Sequence, residues 1–260
     1  MKCQISNVKC QMDVCLRHVF FKIIIPSFVI FNLSFVICSA ASAAPTVFPS
    51  SALNGPSGLI RIPSADVIPY KNFNIGGAYG KTMPDGGATG EATTYYMMNL
   101  GSFHGVELGI VGGTERNSST VREGVFVNMK LALSTGDEPD PMLLAIGVEN
   151  LFSFTQTDVY MVATKYFKQG PKLTFGFQGD FPANRFRPLG MAGIEFPIGD
   201  TLYLISDIIA GETLMQANAG LRFYLNPLLS FSVSGLNIFN NADAKDDKAI
   251  LAGFNWANIF

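Results

Sequence analysis

The sequence predicts an all-β protein, a transmembrane antiparallel β-barrel of about twelve strands, preceded by a signal peptide and a short pre-barrel segment. Three observations support this fold class. Segments of about ten residues alternate between apolar and polar side chains, the connections between them are long and short in turn, and the last segment ends in an aromatic residue. We expect residues 1–43 to be the signal peptide, 44–70 the pre-barrel segment and 71–260 the barrel.

Residues 1–43 have the three parts of a secretory signal peptide. A basic lead precedes the apolar stretch 23–38, and Ala41-Ser42-Ala43 follows it as a cleavage site of small residues. An uncleaved membrane anchor is the alternative, but this stretch is shorter than the roughly 20 apolar residues that a spanning helix needs. Every cysteine lies before residue 44, so a disulfide framework is excluded for the mature chain.

The alternation of side chains predicts the strands one by one. Val106, Leu108 and Ile110, for example, share one face of a segment, and Glu107 lies on the other. Predicted strands of about ten residues match the 9–11 tilted residues that cross a bilayer and exceed the five or six that are usual in soluble sheets. The predicted strands are 71–80, 91–101, 103–112, 124–134, 141–149, 157–168, 172–181, 188–197, 200–210, 214–225, 228–237 and 248–260.

The connections between the predicted strands differ in length in a regular order, as in outer-membrane barrels with short periplasmic turns and longer outer loops. With twelve strands, every odd-to-even connection would face outward and both ends of the barrel would lie in the periplasm. The connection 134–141 is longer than this order requires, which would also fit a miscounted strand. The long connections are 81–92, 113–124, 181–188 and 237–248, and the tight ones are 101–102, 168–171, 198–200 and 226–227.

The last predicted strand places Phe254, Trp256 and Phe260 on one face, and Phe260 is the final residue. A closing strand with a terminal aromatic residue resembles the assembly signal that the outer-membrane barrel insertion machinery reads. We therefore expect an outer-membrane location after signal-peptide cleavage, with outer-membrane lipid and the barrel-assembly machinery as partners.

Charged side chains at the parity opposite to the apolar faces are predicted to point into the lumen. Three of them are acidic and three basic, whereas a strongly ion-selective pore would carry a ring of one sign. Two interpretations remain open: a weakly selective polar pore, or a paired network that holds a narrow lumen shut. The predicted lumen-facing charges are Glu107, Lys130, Lys165, Glu195, Asp207 and Arg222.

The sequence indicates no catalytic residue, cofactor or metal site. His104, the one histidine of the mature chain, shares the parity of Val106 and Leu108 and is expected to face lipid or the membrane interface. A Ser/His/acid triad would need its base at the lumen or a rim, beside an acid. The basic residues form no cluster or stripe, which excludes nucleic acid as a partner.

The pre-barrel segment contains a short apolar stretch, residues 58–69, that two prolines keep out of a sheet ladder. Because its apolar residues need cover from water, we expect it to occupy the lumen as a plug or to lie at the periplasmic mouth. Arg61 and Asp66 would be available there to pair with lumen charges.

Residues 55–80 resemble the phrase that precedes the barrel in YjbH-like outer-membrane proteins, a family associated with exopolysaccharide production and capsule. This chain would be a short, single-barrel form of that family. The resemblance implies a non-enzymatic barrel, either a narrow channel or an accessory that works with polysaccharide-export proteins. The matching residues are Gly58, Leu59, Ile60, Pro63, Ser64, Ala65 and Pro69.

Three alternative functions stay open at this point. The chain could be a small outer-membrane enzyme, a general porin-like or structural barrel without a polysaccharide role, or a soluble periplasmic β-sandwich that binds glycan. The first alternative needs an acid–base cluster at the outer rim, and the last needs a barrel or sandwich whose apolar side chains point inward.

Overall fold

The computed structural model describes residues 47–83, 90, 92–114, 124–134, 142–153, 156–167, 170–182, 186–212, 214–239 and 248–259. Twelve strands follow one another along the chain, in agreement with the predicted number. Within these residues, no helix is long and apolar enough to cross a membrane. The strands are β1 (Asn72–Met83), β2 (Ala92–Phe103), β3 (Val106–Thr114), β4 (Val125–Ala132), β5 (Met142–Leu151), β6 (Gln156–Tyr166), β7 (Lys172–Pro182), β8 (Arg187–Pro197), β9 (Leu202–Gly211), β10 (Met215–Asn226), β11 (Leu229–Leu236) and β12 (Lys248–Ile259).

The strands form one closed antiparallel barrel in which each strand pairs with its neighbours in the chain. The ring closes between the first and the last strand, from Asn72 opposite Ile259 to Met83 opposite Lys248. β4 pairs directly with β5, so no further strand of the ring lies between these two. Closure leaves no sheet edge unpaired, which is a requirement for any sheet in hydrocarbon.

The two faces of the wall have the polarity of a membrane barrel. Large apolar side chains in the middle of the strands are exposed on the outside, such as Phe177 at 71% and Val233 at 57%. Charged side chains such as Glu107, Lys130 and Asp207 are buried inside. A soluble barrel or sandwich would show the opposite arrangement, because its apolar residues would fill the interior.

Replacing Phe177 with Arg is expected to lower the free energy of unfolding in lipid vesicles by about 2–4 kcal/mol, because the side chain lies near the middle of β7 on the lipid face. Phe181→Arg is the matched control, since Phe181 is also exposed but lies near the end of the same strand. Its cost should be about 0–1 kcal/mol. Guanidinium titrations of both variants measure the difference, and equal costs would mean that this face does not contact hydrocarbon.

Candidate functional site: the occupied lumen

The lumen is occupied by residues 47–70, termed here the lumen segment. Its first residues lie at one mouth of the barrel, where the Phe48 N–H donates to the carbonyl of Pro227 with an N···O distance of 3.0 Å. At the other end, the Lys71 N–H donates to the carbonyl of Gly101, close to the β2–β3 turn (3.1 Å). Both ends therefore lie at the mouth that carries the short turns, and the segment enters and leaves the lumen on the same side.

The tip of the lumen segment reaches the half of the barrel near the other mouth. The carbonyl of Asn54 accepts a hydrogen bond from Asn128 Nδ2 on β4 (2.9 Å), and Asn54 Nδ2 donates to Glu149 Oε2 on β5 (3.4 Å). Gly55 follows with a φ of 111°, and a Cβ there would collide with Val111 and the Asn128 amide. A glycine is thus required where the segment turns back against the wall.

Asp207 on β9 holds the middle of the lumen segment. Its Oδ2 accepts hydrogen bonds from three successive backbone N–H groups, those of Ile60 (2.8 Å), Arg61 (2.7 Å) and Ile62 (3.2 Å). Its Oδ1 accepts one from Asn218 Nδ2 (2.7 Å), which orients the carboxylate. Hydrogen bonds to an ionised acceptor are about twice as strong as neutral ones, so this carboxylate is a strong anchor.

Glu107 and Lys130 form a second anchor on the opposite side of the ring. Glu107 accepts hydrogen bonds from the N–H of Ser57 (2.8 Å), the hydroxyl of Ser57 (2.6 Å) and the N–H of Ile68 (2.9 Å). Lys130 Nζ lies 3.4 Å from Glu107 Oε2 and donates to the carbonyls of Ser57 (2.9 Å) and Ser64 (3.3 Å) and to the Ser57 hydroxyl. The ion pair is almost fully buried, and both of its members also bond to the segment.

A third set of contacts is a chain of charges near the mouth with the short turns. Asp66 of the segment accepts hydrogen bonds from Tyr166 and from Lys172 (3.2 Å), and Lys172 Nζ also lies 3.1 Å from Glu195. Arg222 extends this chain of charges. Its Nη1 lies 3.4 Å from Glu195 Oε2, and its Nη2 donates to the carbonyl of Leu59 in the segment (3.1 Å). Opposite charges thus alternate from the segment to the wall.

The charge on Asp66 persists at neutral pH. Burial acts to raise the pKa of Asp66, but Lys172 and the hydrogen bonds from Tyr166 and Ser64 outweigh it and hold the pKa below its ordinary value. A carboxyl group whose pKa is lower in the folded than in the unfolded protein stabilises the folded form at pH values above its unfolded pKa. This stabilisation is lost as the pH falls through the pKa of the folded form. The Asp66 anchor therefore weakens only below about pH 4.

Apolar contacts fill the space between the anchors. Leu59, Ile62 and Ala65 of the segment pack with wall residues such as Tyr160 and Val162 in one buried cluster. Leu53 and Ile60 belong to a second cluster with inward-facing side chains of β2, β3, β4, β9, β11 and β12. The small inward residue Gly193 is needed at the first cluster, because a Cβ there would approach Leu59 Cδ2 to 2.8 Å.

The structure places the predicted site residues in three groups. Five predicted lumen charges are buried on the inner wall, and each is part of the anchors and charge chain described above: Glu107, Lys130, Glu195, Asp207 and Arg222. The seven residues of the family phrase all lie in the lumen segment, where Gly58 pairs with Pro63 in an isolated bridge. Phe254 and Trp256 are exposed on the outer face of β12, and Phe260 lies outside the described residues.

The prediction that Lys165 points into the lumen is corrected by the structure, because this residue lies on the outer face of the barrel. Its neighbours Thr164 and Tyr166 both point inward. There the Thr164 hydroxyl accepts a hydrogen bond from the N–H of Ala65 (2.9 Å), and the Tyr166 hydroxyl donates to the carboxylate of Asp66. Side chains alternate along a strand, so Lys165 must point the other way. It lies one residue from the end of β6, where a long side chain can reach the interface.

Sequence reasoning missed several inward charges, of which Lys172 is the most important for the segment. Lys172 shares the parity of Thr174 and Gln178, the polar face of that strand, so one more step of the alternation identifies it. Asp180 follows at the same parity, and Glu149 and Asp158 lie beside it on neighbouring strands.

His104 is exposed and its ring lies 4.7 Å from that of Tyr70.

Comparisons with known proteins identify the fold. No protein-family model matches the chain, and no curated protein matches it. Among solved structures, the chain is similar to the NanC porin, with a TM-score of 0.51 and 10% identity over 71% of this chain and 98% of that one. It is also similar to an outer membrane channel from Pseudomonas putida F1, with a TM-score of 0.52 and 6% identity over 76% of this chain and 100% of that one. A KdgM porin in complex with disordered oligogalacturonate gives a TM-score of 0.50 and 10% identity over 70% of this chain and 98% of that one. The chain therefore has the closed antiparallel barrel fold of outer-membrane porins and channels.

Proposed function

We propose that the protein is a porin-like channel of the outer membrane whose lumen is closed by the lumen segment. The apolar outer face supports a membrane location, and the fold is one that solved porins share. With the segment removed, the inner wall would present acidic and basic groups in similar number near the short-turn mouth. Such a mixed lining suits small hydrated solutes.

The observation that carries this proposal is the way in which the segment is held. Glu107 and Asp207 bind it largely through its backbone N–H groups, and Lys130 binds it through backbone carbonyls. Charged wall groups exchange such bonds for bonds to water when the segment leaves, so the net cost of release is much smaller than the sum of the contacts. A permanent core would gain more from apolar residues at these positions.

Planar-bilayer conductance of the refolded mature protein, with and without residues 44–70, tests the proposal. Removal of the segment is expected to raise the conductance of single barrels, because the occupied lumen becomes a water-filled path. Heat-modifiable migration on gels verifies in parallel that the shortened barrel has folded. A folded, shortened barrel with unchanged conductance would contradict a channel function.

An accessory role in exopolysaccharide export is a second proposal, favoured by the resemblance of residues 55–80 to YjbH-like proteins. The barrel-assembly machinery, bound through the last strand, and polysaccharide-export proteins are its proposed partners. Loss of surface polysaccharide on deletion of the gene, restored by the intact protein but not by a variant lacking residues 44–70, would support this role. Unchanged polysaccharide would contradict it and leave the channel proposal standing.

A further inference from the structure

A second group of charges lies on the inner wall near the mouth opposite the ends of the lumen segment. Glu149, Asp158 and Asp180 are neighbours on β5, β6 and β7, because the register pairs Glu149 with Asp158 and Asp158 with Asp180. All three side chains are buried, with exposed fractions of 1%, 3% and 2%. We term them the outer acidic cluster.

The outer acidic cluster carries more negative charge than its surroundings balance. Arg187 pairs with Asp180 at 2.6 Å, and Asp158 receives hydrogen bonds from the neutral amides of Gln156 and Asn150. In the part of the chain that the structure describes, the one hydrogen bond to Glu149 comes from the Asn54 amide at 3.4 Å. Among the described residues, three carboxyl groups thus face one guanidinium, unlike the alternating charges near the short-turn mouth.

Three buried oxygen atoms at this cluster have no hydrogen-bond partner among the described residues: Glu149 Oε1, Tyr160 Oη and Gln178 Oε1. The Tyr160 hydroxyl lies against Gly147, two residues before Glu149 on β5. Gln178 is opposite Tyr160 in the register, and its Nε2 donates to Asp180 (2.7 Å). A buried carboxylate or amide oxygen without a donor is unfavourable, so Glu149 Oε1 and Gln178 Oε1 indicate a donor that the described residues do not supply, while the Tyr160 hydroxyl has a proton of its own to donate.

We propose that the outer acidic cluster is a binding site for organic cations that carry a primary ammonium group. An ammonium group brings one positive charge and N–H donors, which matches the sign of the cluster and its buried oxygens without a donor. A metal ion fits less well, because no group of three or more His, Cys, Asp or Glu side chains in the described residues is arranged to hold one. A diamine would bring two positive charges to the acidic cluster.

The site does not require movement of the lumen segment, because its residues belong to the wall. Its position still matters for the segment, since Glu149 contacts Asn54 at the segment tip. An ammonium group at Glu149 Oε1 would share this carboxylate with the Asn54 amide, which donates to Oε2.

Isothermal titration of the refolded protein in detergent with putrescine tests the proposal, with 1,4-butanediol as the uncharged analogue of equal length. The unaltered protein is expected to bind putrescine at one site and not to bind the diol. Glu149→Gln should weaken putrescine binding by about tenfold or more, since a charge-assisted bond is lost. Glu212→Gln, at an exposed acid next to the end of β9, is the matched control and should bind as the unaltered protein does.

Tyr160→Phe provides a readout that does not depend on removing a charge. Because the Tyr160 hydroxyl has no partner in the described residues, its loss should not lower the unfolding midpoint, while it should weaken putrescine binding severalfold. Equal putrescine affinity in the unaltered protein, Glu149→Gln and Tyr160→Phe would overturn the proposal. Displacement of putrescine by magnesium but not by sodium at equal ionic strength would also overturn it, in favour of a metal site.

Discussion

Substituting Asp207 with Asn is expected to shift the barrel strongly towards an open lumen. Asparagine removes the charge and brings an NH₂ group to a position where one carboxylate oxygen accepts three backbone N–H groups. The loss of these charge-assisted bonds should weaken the seated segment by about 3 kcal/mol, on the order of a 100-fold change in the closed-to-open ratio. Planar-bilayer recordings of the refolded variant would show this as a higher open probability.

Asp180→Asn is the matched control for this experiment. Asp180 is equally buried on the inner wall, but its bonds are to Gln178 and Arg187, which belong to the wall itself. The substitution removes the same charge from the lumen without a direct bond to the segment. Equal open probabilities for the Asp207 and Asp180 variants would show that lumen charge, and not the anchor, controls conduction.

A reversible cross-link separates movement of the segment from any other effect of the Asp207 substitution. The hydroxyls of Ser50 and Ser230 lie 3.4 Å apart, so a cysteine at each position should form a disulfide between the segment and β11. Residues 44–260 contain no cysteine of their own to compete. In the Asp207→Asn background, we expect closure on oxidation and reopening on reduction. Openings that persist in the oxidised protein would contradict the plug.

The second large effect is expected for Lys130→Met. The substitution leaves Glu107 buried without its partner, and removing one partner of a buried ion pair costs about 3–5 kcal/mol. The double variant Glu107→Gln with Lys130→Met should lose less stability than the sum of the two single variants. Guanidinium unfolding followed by the fluorescence of Trp256, the only tryptophan, measures all four proteins. Additive losses would indicate that the two side chains do not interact.

Much of the wall could be predicted from the sequence, because side chains in a strand alternate and a membrane inverts the usual polarity. The same rule explains the error at Lys165. It assumed that inward positions are polar, whereas β6 presents Tyr160 and Val162 to the lumen because they pack on the segment. Where a barrel interior is filled, inward positions are apolar as in any core, and the polarity of a strand no longer identifies its faces.

The pairing inside the lumen could be predicted only in part. The sequence indicated that residues 58–69 needed cover and that Asp66 had lumen charges to meet, but not that Lys172 would meet it. The bonds between Asp207 and the segment join residues 145 to 147 positions apart in the chain. Such contacts depend on the registers of many strands together, and no local pattern encodes them.

The two main anchors have a mechanical consequence for the wall. Glu107 is on β3 and Asp207 on β9, and in a ring of twelve strands in sequential order these two are diametrically opposed. We therefore expect the segment, which bonds to both, to act as an internal strut that resists flattening of the ring. Release of the lumen segment would therefore change the shape of the barrel as well as empty its lumen.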